Sequence, residues 1–344
     1  MLLVKQPGDV AESGAVLHYR DVGDYLTRRE KLDLVASALP AGNDDVPALG
    51  ALGWTAIQPN EHGDWINQRS ESFGRHLAAT GDDGPSIFRL RTRGLLTSRD
   101  AWNYNSSRAV VDANVSRMLD HYNVQVDAFA SARPNLSGTL AQRAAVAKQI
   151  VDLDPRKFSW DRANFADIAR GTKFGETDRL TMVASYRPFH RRWVEAGRRL
   201  NNTVYQLPRV FPTAVADNLV IGVLDKGSPA PFSALCSAVQ PDDKLVGAGN
   251  AMQFFPRYVY EVDAGVEGDG APGLFEVPEV PEAADGSGRR HNVTDHALGL
   301  YQTLDPAVER DDIFFYVYGI LHSPDYRTAF AADLKKSLPR IQDS

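Results

Sequence analysis

The densest charge in the sequence lies between Tyr186 and Pro212, in YRPFHRRWVEAGRRLNNTVYQLPRVFP. Arg187, Arg191, Arg192, Arg198, Arg199 and Arg209 stand there against a single acid, Glu195. Guanidinium groups at this density suit a face that meets phosphate. They equally suit a solvated helix or hairpin edge, and composition alone does not separate the two. A second cluster sets Arg89, Arg91, Arg93, Arg99 and Arg108 against Asp100, interleaved with Thr97, Ser98, Asn103 and Asn105. Part of that polar content is expected to form an Asx- and Ser-rich turn ahead of the next helix.

Other chemistry is sparse. The whole chain carries a formal net charge of -6, which argues against a nonspecific coat on nucleic acid but leaves room for locally concentrated positive charge. The single cysteine, Cys236, excludes an internal disulfide framework and a thiolate zinc site. It lies in the apolar run FSALCSAV and is expected to be a buried, inert thiol. His62, near Glu61 and Asp64, lacks a partner at helical metal-ligand spacing, so no metal is expected. The sequence holds no dinucleotide fingerprint, no P-loop, no nucleophile elbow and no zincin motif. Asp100 and Glu195 would act as general acid or base only with partners that the sequence does not reveal, so no catalytic residue is assigned. The MLLV start is too short for a signal peptide, and no run nears the ~20 apolar residues of a membrane span. A cytoplasmic protein is expected.

The elements that must position these side chains follow from periodicity. At 344 residues and 43% hydrophobic, the chain has material for two domains, or one large one, with a real core. Apolar runs at Met1–Val4 and Ala15–Tyr19 predict a leading hairpin. Thr27 with Glu30 predicts a capping box, opening a helix with Leu32, Val35, Ala36 and Leu39 on one face and Pro40 at its end. Asn60 or Asp64 is expected to cap another helix through Gln68, Phe73 and Leu77. Between Ser86 and Leu96, Ile87, Leu90 and Leu95 alternate with Arg89, Arg91 and Arg93, as in a half-buried strand. Ser106 or Ser107 precedes the strongest helical stripe: Val111, Val115, Met118, Tyr122, Val126 and Phe129. Further helices are predicted over 140–151 and 160–169, the latter ended by Gly171.

Beyond about residue 176 the pattern turns to strands, over 179–186, around Trp193, and over 218–224, 232–239, 244–246 and 254–262. From Glu261 to Asp285 acids accumulate without a base, among Gly and Pro, which predicts a solvated, mobile insertion within 261–290. Thr294, Asp311 or Asp312, and Ser323 are expected to open three closing helices. The fold class is therefore mixed α+β, with a helix-rich N-terminal half, a sheet-rich middle and C-terminal helices.

Several ordered stretches also resemble one family. They are HYRDVGDYLTRREKL (18–32), NEHGDWINQR (60–69), GLLTSRDAWNYN (94–105), YRPFHRRW (186–193), LPRVFP (207–212), NVTDHAL (292–298) and DIFFYVYGILHSPDYRTAFAADLKKSLPRI (312–341). Together they look like the C-terminal part of Type ISP restriction–modification enzymes, from about residue 1 to the end. His190 stands where that family usually has an aspartate after YRPF. In the family one polypeptide carries a nuclease, a helicase-like ATPase, an adenine methyltransferase and a C-terminal target-recognition domain. The resemblance implies that residues 1–20 are closing strands of the methyltransferase sheet. It makes 21–175 and 176–344 the helix-rich and sheet-rich parts of the specificity region.

It further implies sequence-specific binding of double-stranded DNA, with the parent polypeptide's methyltransferase domain as partner. S-adenosylmethionine and ATP with magnesium would belong to domains outside this chain, and no cofactor is expected within it. Alone, the chain is expected neither to cut, translocate nor methylate. The alternative is a protein-interaction module, motivated by the acidic 261–285 segment and the leading hairpin. Enzymes of such a family read different sequences, so residues of the shared motifs make poor base readers. Tyr186, Arg187, Pro188 and Phe189 are expected to fix a turn and its packing, and Arg99, Asn103 and Asn105 to make backbone or interdomain contacts. Base-edge contacts are expected from Arg191, Arg192, Arg198, Arg199, Asn201, Asn202 and Gln206, whose groups suit guanine and adenine edges. Arg209 completes the expected DNA face.

Overall fold

The computed structural model describes residues 17–37, 53–81, 84–261 and 288–342. Two compact units divide between Ser70 and Glu71. In the first, β1 (Leu17–Tyr19) is followed by α1 (Arg28–Ser37) and β2 (Thr55–Ile57), and β1 pairs antiparallel with β2. Met1–Val4, the expected hairpin partner of β1, and Pro40 lie outside the described residues. The Thr27 capping box is formed: Glu30 Oε2 accepts from the Thr27 amide at 2.7 Å, and Thr27 Oγ1 accepts from the Glu30 amide at 3.4 Å. Leu32 and Val35, expected on a buried face, are exposed.

The helix expected from Asn60 or Asp64 to Leu77 does not form. Asn60 Oδ1 accepts from the amides of His62 (3.0 Å) and Asp64 (2.9 Å), around Gly63 at φ 72°. Asp64 in turn accepts from Arg69 Nε at 2.8 Å. The short polar side chains that could have capped a helix close turns on neighbouring backbone instead.

The second unit runs through β3 (Leu77–Ala78), β4 (Thr92–Arg93), α2 (Asp100–Asn103), β5 (Tyr104–Asn105) and α3 (Arg108–Ala132). Next come α4 (Leu140–Ile150), α5 (Arg162–Arg170), β6 (Thr181–Arg187), β7 (His190–Glu195), β8 (Val220–Leu224), β9 (Ala234–Ser237) and β10 (Gln240–Pro241). It closes with β11 (Met252–Pro256), β12 (Tyr258–Tyr260), β13 (Arg289–His291), α6 (Asp295–Gln302), α7 (Arg310–His322), α8 (Pro324–Ala329), α9 (Ala331–Lys336) and β14 (Arg340–Ile341). Two four-stranded sheets, β10-β6-β7-β5 and β4-β11-β8-β9, form its centre. The observed mixture of helices and small sheets is the expected α+β class. Strands from before and after residue 176 share both sheets, since β5 pairs with β7 and β4 with β11.

Three apolar clusters explain the layering. All five residues of β8, VIGVL, are buried. Ile221 and Val223 face a core shared with α6 to α9, while Val220 and Leu224 face the other sheet. A strand covered on both faces reads as an unbroken apolar run. Gly222 within it leaves room for Phe254, because a Cβ there would stand 2.5 Å from the ring. On the outer side of the β5-β7-β6 sheet, Trp193 packs on the cluster of α3 to α5. The expected stripe of α3 is buried in full, and the Tyr122 ring stacks on Phe174 at 4.3 Å. Thr139–Gln142 and Asp161–Asn164 capping boxes open α4 and α5, and Gly171 at φ 75° ends the latter.

Other expectations need correction. Residues 86–96 are not one strand but contribute isolated bridges and β4. Residues 244–246 form no strand, because Asp242 Oδ1 accepts from the Lys244 amide at 2.8 Å and turns the chain. Glu309, rather than Asp311 or Asp312, is the N-cap of α7, and Asp312 Oδ2 accepts from its amide at 2.8 Å. Ser323 caps α8 as expected, but the helix breaks at Phe330 before α9. Cys236 is exposed on β9 rather than buried. The acidic stretch lies outside the described residues from 262 to 287, and Arg289 and Arg290 pair within β13 against β12. Among the described residues no helix is long and apolar enough to cross a membrane.

Candidate nucleic-acid interface

β6 and β7 form a hairpin in which Arg187 opposes His190, leaving Pro188 and Phe189 as its connection. Proline holds φ near −65° and Phe189 sits at φ 62°, the combination of a type II turn. That second position favours Gly or Asn, and a bulky side chain there costs on the order of 1–3 kcal/mol. Phe189 is nevertheless 98% exposed. It makes the expected turn but not the expected packing.

The strands next to the turn are braced. The Arg187 and Arg192 guanidinium groups stack on the Tyr186 ring, at 4.0 and 4.6 Å from its centre. The Tyr186 hydroxyl donates to Asp100 Oδ2 at 3.1 Å, and Arg187 Nη1 donates to Asp242 Oδ1 at 3.1 Å. Tyr104 lies against Tyr186 with ring centres 4.7 Å apart. Burial, aided by the nearby Asp100 charge, pushes the Asp242 carboxyl up to about 6, while Arg187 pulls the other way.

β7 divides the arginine cluster that is continuous in sequence. Side chains alternate along a strand, so Arg191 shares a face with Trp193, on whose ring Arg108 rests at 5.4 Å. Arg192 lies on the Tyr186 side. Arg198 and Arg199 are exposed on the turn Arg198–Leu200 at the other end of the strand. Arg191 and Arg198 therefore lie toward opposite ends of β7. Arg199 Nε stands 3.6 Å from Asp178.

Three candidate residues are interior, which corrects their assignment to a DNA face. Asn201 is 5% exposed, and its Nδ2 donates to the carbonyls of Glu195 and Gly197 at 3.0 and 2.8 Å. Asn103 is fully buried and donates to Leu200 O and Asn201 Oδ1, both at 2.9 Å. Arg99, also buried, pairs with Asp161, donates to Asn164 Oδ1 at 3.0 Å and rests on Phe158. These groups fix the Arg198–Leu200 turn and join α2 to α5. Glu195, the lone acid of the cluster, is also buried and accepts from the Leu180 and Gly197 amides at 2.6 and 2.8 Å; burial pushes its carboxyl up.

The remaining candidates are at or near the surface. Asn202 is exposed, while Asn105, Gln206 and Arg209 are half-buried. Asn105 Oδ1 accepts from the Ser107 amide at 3.0 Å, and burial lowers the Arg209 pKa against the pull of Glu261. Sequence reasoning missed a cleft of about 420 Å³ lined by Arg91, Lys226, Lys336 and Arg340 with Asp225. Its cations come from separate stretches, so no local charge run signals it. Among the described residues no group of His, Cys, Asp or Glu could hold a metal ion.

The Type ISP C-terminal specificity domain model matches residues 86–342, which takes in both sheets and both arginine-bearing ends of β7. The chain belongs to this family. It is similar to a nuclease-deletion mutant of the Type ISP restriction-modification enzyme LlaGI in complex with a DNA substrate mimic. Identity is 31% and the TM-score 0.67, over 96% of this chain and 26% of that one. It is also similar to the ATP-dependent Type ISP enzyme LlaBIII bound to DNA, at 26% identity and TM-score 0.67, over 95% of this chain and 18% of that one. DrdV in its DNA complex shares the fold, at 24% identity and TM-score 0.69, over 96% and 29% of the two chains. The specificity-domain chain thus spans less than a third of each of these chains. No curated protein matches it.

Proposed function

We propose that this specificity domain recognises a particular sequence in double-stranded DNA and directs the catalytic domains of a Type ISP restriction–modification polypeptide to it. The observation that carries the reading is the family match over 86–342, shared with relatives described as DNA-bound. The comparisons favour it over a protein-docking module. Exposed Arg191, Arg198, Arg199 and Asn202 have the chemistry to read base edges. Half-buried Arg192, Gln206, Arg209 and Asn105 have less reach and suit backbone contacts that set register. The methyltransferase domain is the proposed partner within the polypeptide, S-adenosylmethionine its cofactor, and ATP with magnesium that of the ATPase domain. The test is selection of a randomised duplex library on this chain at low salt, followed by salt titration of the retained sequence. Enrichment of one sequence is expected, with each lost phosphate contact lowering the salt slope by about one. Retention of no duplex at low salt would overturn the reading.

A further inference from the structure

We infer that Phe189 is a wedge that inserts its ring into the base stack of the bound duplex. The inference rests on the DNA reading above and adds to it a residue and a deformation. Three observations converge. The ring is 98% exposed and sits at the tip of a hairpin, where it has the reach to enter a groove. Its backbone holds φ 62°, a conformation that Gly or Asn adopts with less strain, so the turn itself gives no reason for a phenylalanine. The hairpin beneath it is fixed by the Arg187 and Arg192 stack on Tyr186, by Asp100 on the Tyr186 hydroxyl and by Asp242 on Arg187. A bare aromatic on a braced support can push between bases without folding back.

The neighbours select the partner. Exposed Arg191 lies two residues beyond the ring, and half-buried Arg192 lies just below it. A cationic collar suits phosphates flanking an opened base step and fits poorly around an apolar pocket of a protein. Apolar side chains that enter duplex DNA in this way unstack a step and bend the helix, and the contact tolerates sequence because every base has a π-face. Phe189 would thus distort the site while the exposed Arg and Asn groups identify it.

The experiment uses the full chain and the duplex it selects, with 2-aminopurine placed at successive positions. Wild type should raise the fluorescence of the probe at one step, the signature of unstacking. Phe189→Ala should lose most of that rise and bind about tenfold more weakly, with an unchanged salt slope. Phe189→Trp should keep the rise. Phe189→Gly should melt at the same or a higher temperature while losing the rise, which a packing role would not allow. Normal binding by wild type with no fluorescent step, or an equal rise with Phe189→Ala, overturns the wedge and leaves DNA recognition standing. Absence of any retained duplex overturns DNA recognition, and the wedge with it.

Discussion

Asp242 should make this protein more stable in mild acid than at neutral pH. The carboxyl is 4% exposed and stands beside Asp100, and its pKa is raised from 3.8 to about 6. That difference corresponds to roughly 3 kcal/mol of preference for the protonated form in the folded chain. A carboxyl whose folded-state pKa lies above its unfolded value favours folding more as it takes up its proton. The contribution is therefore least favourable above pH 6 and improves as pH falls through 6 towards 4. Asp295 and Asp311 act in the opposite sense, held low by hydrogen bonds from Arg89 and Arg310 and from Arg257. Their stabilisation is present above their unfolded pKa and is lost as pH falls below it, so stability should peak between these ranges.

Asp242→Asn isolates the effect, because the amide oxygen can still accept from the Lys244 amide and from Arg187 while carrying no charge. Urea unfolding should find the variant more stable than wild type by up to about 3 kcal/mol at pH 7.5 and nearly equal at pH 4.5. Arg187, a third exposed, keeps that amide acceptor, water and its stack on Tyr186, so losing only the partner's charge is cheap. A variant less stable than wild type at pH 7.5, or with the same pH dependence, would refute the reasoning.

Other substitutions test the interior around the hairpin. Gly197→Ala would place a Cβ 2.0 Å from the Asp178 carbonyl and 2.9 Å from Glu195 Oε1, and should cost about 1–3 kcal/mol in thermal melts. Arg99→Ala leaves Asp161 without its buried partner and should destabilise by roughly 3–5 kcal/mol, while duplex binding by the folded fraction stays near normal. Arg191→Ala and Arg198→Ala should both fold normally; in salt titration of duplex binding each should reduce the slope by about one if it meets phosphate. Gly222→Ala, which forces a methyl against the Phe254 ring, should lower the unfolding midpoint by a comparable overpacking penalty of about 1–3 kcal/mol.

Periodicity made the core legible where one element carries its own pattern. The stripe of α3 and the apolar run of β8 are buried as their spacing requires, because local geometry alone decides which of those residues share a face. Polar residues were harder to read. Asn60 and Asp64 have helix-cap chemistry, yet the same side chains can close turns, and Gly63 in the left-handed region gives them that route. Asn103 and Asn201 meet across nearly a hundred residues of sequence, so nothing near either announces that both are buried. Cys236 lies in an apolar run and is exposed, although Ala234, two residues earlier on the same face of β9, is buried.

The division of the arginines follows from the same distinction. A run such as RRWVEAGRRL looks like one basic patch, but as a strand followed by a turn it becomes a spacer with charge at both ends. Buried Arg99 and half-buried Arg93, Arg187 and Arg257 are matched by acids far away in sequence: Asp161, Asp243, Asp242 and Asp311 respectively. Those acids contribute to the net charge of -6 while their pairing lies with arginines other than exposed Arg191. Net charge therefore says little about whether this chain can hold DNA. The relevant quantity is the charge left exposed after internal pairing, and salt titration of the surface and interior arginine variants measures that difference directly. Interior substitutions should change stability, surface ones the salt slope, and a mixed pattern would mean that the assignment of inside and outside is wrong.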